Sequence, residues 1–145
     1  MTQIFERPAA MGLLARAEPL RLAALFPDLP AHTRLRGPEI GAVMVRGRQG
    51  GTGAPFNLGE MTVTRCTVRL AEGPVGHAHV QGRNTEHALR AAVLDALLQT
   101  DRAAALTRSV LAPLAAEETT RREARSRKAA ATRVEFFTMV RGEDA

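Results

Sequence analysis

MTVTRCTVRLAEGPVGHAHVQ, residues 61–81, decides the fold class of this chain. Met61 to Leu70 is rich in β-branched residues, and Pro74 to Gln81 alternates apolar and polar positions, so each segment is predicted to be a strand. The Glu72-Gly73 pair between them favours a tight turn. Two strands joined in this way are antiparallel, so the middle of the chain is predicted to be a β-meander.

The first of these strands changes its alternation part-way along. Its apolar residues occupy odd positions at first and even positions later, namely Met61 and Val63, then Cys66, Val68 and Leu70. A β-bulge near Arg65 would produce this change. Burial of both faces of the strand would explain it equally well.

Further strands are predicted upstream, over Ala42 to Arg48 and, more briefly, His32 to Arg36. The glycine-rich loop Gly50 to Pro55 separates the first of these from the hairpin. The meander is therefore predicted to contain about four strands within residues 31–82.

Helical patterns flank the meander on both sides. Arg7 to Phe26 fits two short helices, and Pro19 stands where the second can begin. Asn84 is a favourable N-cap for the helices that follow, and Pro113 is expected to break or kink them. The prediction is a single α+β domain over residues 1–145, with an N-terminal helical part at 1–30, the meander at 31–82, helices at 84–130 and an extended apolar tail at 131–145.

Composition narrows the possible environment and partners. The formal net charge of +5 is a modest indication of an anionic partner, whereas aromatic residues for stacking bases are scarce, at 3%. The single cysteine, Cys66, excludes an internal disulfide and a cysteine-based metal site. Without a secretion signal or a long apolar run, the chain is predicted to be cytoplasmic and not attached to a membrane.

The glycine-rich loop is a candidate contact for an anion or a partner. Glycines allow backbone N–H groups to approach an anion closely, and the candidates in this loop are Arg48, Gly50, Gly51, Thr52 and Gly53, with Arg65 as a further candidate. The segment is neither a Walker loop nor a dinucleotide fingerprint, since it lacks their glycine and lysine spacing. A flexible connection between strands is the alternative interpretation.

Other titratable residues give no clear catalytic pattern. His77 and His79 lie two apart on one strand face and could bind a metal, but surface histidines are the commoner explanation, and no metal site is predicted. Asp95 could be a catalytic carboxylate, but a structural role in a hydrogen bond or an ion pair, or simple exposure, is the commoner explanation. Cys66 is interpreted as a small buried hydrophobe, and no catalytic residue is assigned.

Basic residues dominate Arg121 to Lys128. They suit contact with nucleic acid, and equally a solvated helix face or a face docked on an acidic partner. Glu117 can pair with Arg121, and Glu118 with Arg122, at i,i+4 spacing.

The C-terminal tail, TRVEFFTMVRGED at 132–144, is unusually apolar for a chain end. Such a surface must be covered by the domain or by another chain, so the tail is predicted to be a docking element. The interface candidates are Phe136, Phe137, Thr138, Met139, Val140 and Arg141.

The tail also resembles the C-terminal signature of the PhnG family of phosphonate metabolism proteins, which belongs to the bacterial carbon–phosphorus lyase system. The resemblance extends to 46–56, 58–65, 82–98 and 110–114, and so covers most of the chain. Asn57 stands where the family has a second aromatic residue, and Asn84 where it has aspartate.

The resemblance implies a function in phosphonate catabolism. Proteins of this family act with the H, I and L subunits of the system to form α-D-ribose 1-methylphosphonate 5-triphosphate from ATP and methylphosphonate, releasing adenine. The resemblance implies a non-catalytic subunit of a transferase complex, with the chemistry in the I subunit and an iron–sulfur cluster in the J subunit. The implied partners are the carbon–phosphorus lyase I, H, J and L subunits, with no cofactor bound by this chain and no nucleic acid.

Two hypotheses from other classes compete with this one. A small basic nucleic-acid-binding module would use Arg121 to Lys128 and bind less tightly as salt rises. A metalloenzyme at His77 and His79 would be revealed by bound metal.

Overall fold

The computed structural model describes residues 5–71 and 73–134, so Glu72 and most of the tail lie outside it. The predicted α+β class is confirmed. The elements in chain order are α1 (Arg7–Arg16), α2 (Pro19–Leu25), β1 (His32–Arg48), β2 (Pro55–Leu70), β3 (Val75–Gln81), α3 (Thr85–Leu97), α4 (Ala103–Leu106) and α5 (Ala112–Ala131).

Within these residues the sheet has three antiparallel strands in the order β1-β2-β3. The four predicted strands are thus one too many, because the two upstream segments belong to the single strand β1. Gly37 and Pro38 lie between them, in a stretch where the register shifts between Arg36 and Glu39. An edge strand tolerates such an irregularity, since a proline there need not donate to a neighbouring strand.

The change of alternation in β2 comes from burial of both faces. Val63 and the neighbouring Thr64 are both buried, at 3% and 0% exposure. The pairing of β2 with β3 runs without interruption from Val63 to Arg69. The register between β1 and β2 does shift next to Arg65, as predicted, but the extra residues of this irregularity lie on β1 rather than on β2.

Helix α3 forms the centre of the domain. Ten of its residues are buried, so it is enclosed on nearly all sides. It starts at the predicted N-cap, where the Asn84 side chain accepts a hydrogen bond from the His87 backbone N–H at 2.9 Å. Its small residues allow a very close crossing over β3: a Cβ atom on Gly76 would overlap the Ala92 carbonyl oxygen and lie 2.5 Å from the Ala96 nitrogen.

The two N-terminal helices cover the flank of α3. Leu14 and Leu22 are buried in the same apolar core as α3. Polar contacts fix their positions: His87 Nε2 donates to the Leu14 carbonyl oxygen at 2.8 Å, and Arg90 Nε donates to the Phe26 carbonyl oxygen at 2.9 Å. Pro19 occupies the first turn of α2, as predicted.

The C-terminal helices leave the core gradually. A π-helical turn, Thr107–Leu111, joins α4 to α5 and contributes the buried Val110 and Leu111. Leu111 and Ala112 have helical backbone angles, so the helix continues through Pro113 and is not broken there; the π-helical turn ends two residues before this proline. None of the helices in 5–71 and 73–134 combines the length and apolarity needed to cross a membrane.

We expect Gly76→Ala to destabilise the protein by about 3 kcal/mol, because the added methyl group meets the backbone of α3 and cannot be relieved by a rotamer change. Gly59→Ala is the matched control, since no atom lies within 4 Å of its Cβ position, and should change stability by no more than about 0.5 kcal/mol. Urea unfolding measures both. Equal midpoints for the two variants would contradict the close crossing.

Candidate functional site

A two-stranded arm extends beyond the three-stranded part of the sheet. Strand β3 pairs with β2 only from Val63 to Arg69, while β1 and β2 stay paired as far as Arg48 and Pro55. Residues 42–61, which we call the arm, therefore have no third strand beside them among the described residues 5–71 and 73–134. With about 3.3 Å per residue, the arm projects by roughly 20 Å.

The tip of the arm is the predicted glycine-rich loop. Gly50 and Gly51 adopt positive φ angles of 57° and 84°, which favour glycine. The Gly53 N–H donates to the Gln49 carbonyl oxygen at 2.7 Å, and Arg48 Nη1 donates to the Gly53 carbonyl oxygen at 3.3 Å. The loop thus closes on itself, and Arg48 is partly used to hold it.

Arg65 lies far from this loop. Arg65 pairs with Glu39 of β1, and Glu39 lies nine residues from Arg48 along that strand. About 30 Å therefore separates Arg65 from the tip of the arm. Its guanidinium packs over Gly41, where a Cβ would lie 2.9 Å from Nη2. Its buried Nε has no hydrogen-bond partner among the described residues. The predicted anion-contact residues therefore do not form one site.

The histidine pair lies on the exposed face of β3. His77 and His79 are both exposed, and His77 Nδ1 is 3.1 Å from the Thr67 hydroxyl oxygen. In residues 5–71 and 73–134, no group of three or more His, Cys, Asp or Glu side chains could hold a metal ion.

Asp95 has a structural role. It is 1% exposed and accepts hydrogen bonds from Arg7 Nε at 3.0 Å, from Arg7 Nη2 at 2.8 Å and from the His77 backbone N–H at 2.8 Å. One carboxylate thereby joins α1, β3 and α3. Of the explanations offered for this residue, the structural one applies.

Cys66 is buried within the core, as its interpretation as a small hydrophobe predicts. Burial raises the pKa of its thiol above the ordinary value, although the positive charge of Arg34 acts in the opposite direction. The thiolate, which is the reactive form, is therefore disfavoured.

The outer half of α5 carries most of the charge. Residues 119–131 hold five basic residues and one acidic residue, a net +4, against +5 for the whole chain. All of these residues except Ala124 are exposed. This half of α5 is therefore a basic helical extension from the core.

Two ion pairs fix the base of this extension. Arg16 Nε donates to Glu118 Oε1 at 2.7 Å, and Arg21 Nε donates to Glu117 Oε1 at 2.8 Å. The predicted pair of Glu118 with Arg122 is present at 3.2 Å, whereas Glu117 pairs with Arg21 rather than Arg121. The hydrogen bonds from Arg16 are the main reason why the pKa of Glu118 is lowered.

An apolar cleft of about 480 Å³ lies where the arm meets the N-terminal helices. Val43, Met61 and Val63 line it from the sheet, and Ala15, Ala17 and Pro19 from the helical side. His79 and Gln81 add polar groups. The cleft was not predicted from the sequence, since it depends on how helices and strands meet.

The arm was also missed, because residues 56–60 were not assigned to a strand. Phe56 and Leu58 alternate with polar or small residues and could have indicated the strand. The tail candidates from Phe136 to Arg141 lie outside the described residues.

Comparison with known proteins decides the family. Residues 5–142 match the family described as Phosphonate metabolism protein PhnG. The chain belongs to this family. The PhnG family assignment agrees with a relative from Rhizobium meliloti (strain 1021), alpha-D-ribose 1-methylphosphonate 5-triphosphate synthase subunit PhnG, which is 50% identical over 148 residues that cover 97% of this chain and 92% of the relative.

We expect the Arg16–Glu118 pair to contribute about 1 kcal/mol at neutral pH, since Arg16 is half exposed and therefore screened. Because the pKa of Glu118 is lowered from 4.5 in the folded state, this contribution is present above that value and is lost as the pH falls below it. The difference in stability between wild type and Glu118→Gln should therefore shrink between about pH 6 and pH 3.

Urea unfolding across this pH range measures the effect. Arg16→Gln should remove most of the same increment, and the double variant should be little worse than either single variant. A stability difference that does not change with pH would show that the ion pair is not its source.

Proposed function

We propose that this chain is a subunit of an α-D-ribose 1-methylphosphonate 5-triphosphate synthase. The enzyme joins methylphosphonate to the ribose of ATP and releases adenine. The observation that carries the proposal is the identity of 50% to a subunit of that synthase over nearly the whole of both chains. On this proposal, the chain acts in phosphonate catabolism as part of the carbon–phosphorus lyase machinery.

The proposed role is assembly rather than catalysis. The buried titratable side chains Asp95 and His87 are engaged in joining helices to one another and to the sheet. The thiol of Cys66 is enclosed in the core. These groups are thus occupied by the fold, which supports placing the reacting groups in a partner subunit.

The proposed partners are the I, H, J and L subunits, in a hetero-oligomer in the cytoplasm. ATP enters as a substrate of the assembled complex, and the iron–sulfur cluster belongs to the J subunit, so this chain is proposed to need no cofactor of its own. An acidic surface on a partner would complement the basic outer half of α5. Nucleic acid is not a proposed partner.

The proposed tail anchors are Phe136, Phe137 and Met139, with Thr138, Val140 and Arg141 completing the contact. Large apolar side chains such as these dominate the energetics of interfaces when they are buried. We propose weaker contacts with a partner or with the triphosphate at three places. These are Arg48, the loop Gly50–Gly53, which includes Gly51 and Thr52, and Arg65.

We expect adenine release from ATP plus methylphosphonate to require this chain when the purified H, I and L subunits are present. Chromatographic detection of adenine, with and without the chain, measures the requirement. A reaction without methylphosphonate is the control for simple nucleosidase activity. An equal rate of phosphonate-dependent release in the absence of the chain would exclude it as a required subunit.

Truncation after Thr132 should reduce co-purification with the other subunits by about tenfold or more, because it removes the proposed anchors. The truncated chain should keep its core, since residues 5–131 hold all of the buried residues described. Size-exclusion chromatography of co-expressed subunits measures assembly. If the truncated chain assembles as well as wild type, the tail is not the docking element.

A further inference from the structure

We propose that the arm, residues 42–61, inserts into an apolar groove with an acidic rim on another subunit of the complex. This inference rests on the proposed function and adds to it a second contact, separate from the tail. The partner is defined by its chemistry: an apolar groove that accepts a two-stranded ribbon, with carboxylates at the position of the ribbon's tip.

Along most of its length the arm is not packed against the other parts of the domain that the structure describes. A two-stranded ribbon alone in water is at best marginally stable, because it lacks a packed face. Its β2 half from Phe56 to Glu60 is exposed throughout. A covering surface from another chain would supply the missing packing.

Apolar side chains are concentrated on one face of the arm. A Cβ atom on Gly47 would lie 3.6 Å from the Phe56 ring and 3.8 Å from Leu58 Cβ, which places Phe56 and Leu58 on one face. Met44 alternates with Val43 and Val45 along β1 and so points to the opposite face. Phe56, Leu58 and Met44 are 42%, 66% and 52% exposed. Met44 shares its face with Arg46 and Arg48, so an apolar groove would take the Phe56 face while an acidic rim met the arginines.

The apolar face continues into the cleft at the root of the arm. Val43 and Met61 belong to the arm and also line that cleft, which extends to Pro19 on the helical side. The partner can therefore follow one unbroken apolar surface from the cleft towards the tip.

The charge of the arm favours another subunit over a second copy of this chain as its partner. The arm carries Arg46 and Arg48 close to its tip and Glu60 as its one acidic residue. Neither arginine forms an ion pair within residues 5–71 and 73–134. A second copy would place arginines against arginines in a chain with net charge +5, whereas an acidic rim would complement them.

The irregular strand edge of the arm also disfavours pairing with the arm of a second copy. Between Val45 and Arg46 the register shifts, because Leu58 is an extra residue on β2. A bulge of this kind interrupts the regular edge that a second strand would need. Insertion as a whole ribbon does not require that regular edge.

The test is assembly of the full chain with the co-expressed H, I and J subunits. We expect Phe56→Asp/Leu58→Asp to reduce the assembled fraction by about tenfold or more, because two carboxylates would be carried into the groove. Leu35→Asp is the matched control, since Leu35 is an exposed apolar residue of β1 outside the arm, at 47% exposure. It should assemble within about twofold of wild type.

The charge of the rim is tested separately with Arg46→Glu/Arg48→Glu, which leaves the apolar residues in place. We expect this variant to lose assembly by about tenfold as well, through repulsion from the carboxylates. Circular dichroism and thermal unfolding of the isolated variants establish that the domain itself is intact. If the aspartate variant fails to fold, the charge-reversal variant still decides the question.

The outcomes separate the two proposals. If wild type does not assemble with the other subunits, the proposed function is wrong. If wild type and both arm variants assemble equally, the function stands and the inference about the arm is wrong. Loss with the aspartates but not with the charge reversal would overturn the acidic rim. Sedimentation of the chain alone would overturn the choice of partner if it shows a dimer that the aspartate variant abolishes.

Discussion

The close crossing of α3 over β3 at Gly76 is the contact on which the rest of the structure depends. It brings the helix backbone against the sheet and leaves room only for small residues such as Ala92 and Ala96. With one side of α3 fixed in this way, α1 and α2 cover its flank, and their position is held by Asp95 and by hydrogen bonds to backbone carbonyl groups. The core is therefore organised around a single enclosed helix.

The size of that helix limits how much of the sheet can be covered. Strand β3 has 7 residues, whereas β1 and β2 have 17 and 16. In the part of the chain that the structure describes, the residues of β1 and β2 that extend beyond β3 have no third strand beside them, and the arm results from this difference in length. The outer half of α5 is exposed for a comparable reason, because its last buried residue is Leu114.

Local signals in the sequence were sufficient for much of the fold. The N-cap at Asn84, the start of α2 at Pro19 and strand β3 depend on neighbouring residues and were predicted correctly. The features that were missed or left open depend on distant contacts. The continuity of β1 through Gly37 and Pro38 is set by pairing with β2, and the role of Asp95 is set by Arg7, 88 residues away. No local pattern indicates such partners.

Separate exposed elements on one rigid core have a consequence for how a complex forms. The arm and the basic half of α5 belong to the same domain, so on the proposed function contact through one of them would place the other close to a second surface of the complex. The second contact is then intramolecular, with an effective concentration in the millimolar range for short connections. Each contact can therefore be weak by itself while assembly remains stable. A core that uses its buried polar groups to hold helices in place is suited to this role, because rigidity limits the ordering cost of binding.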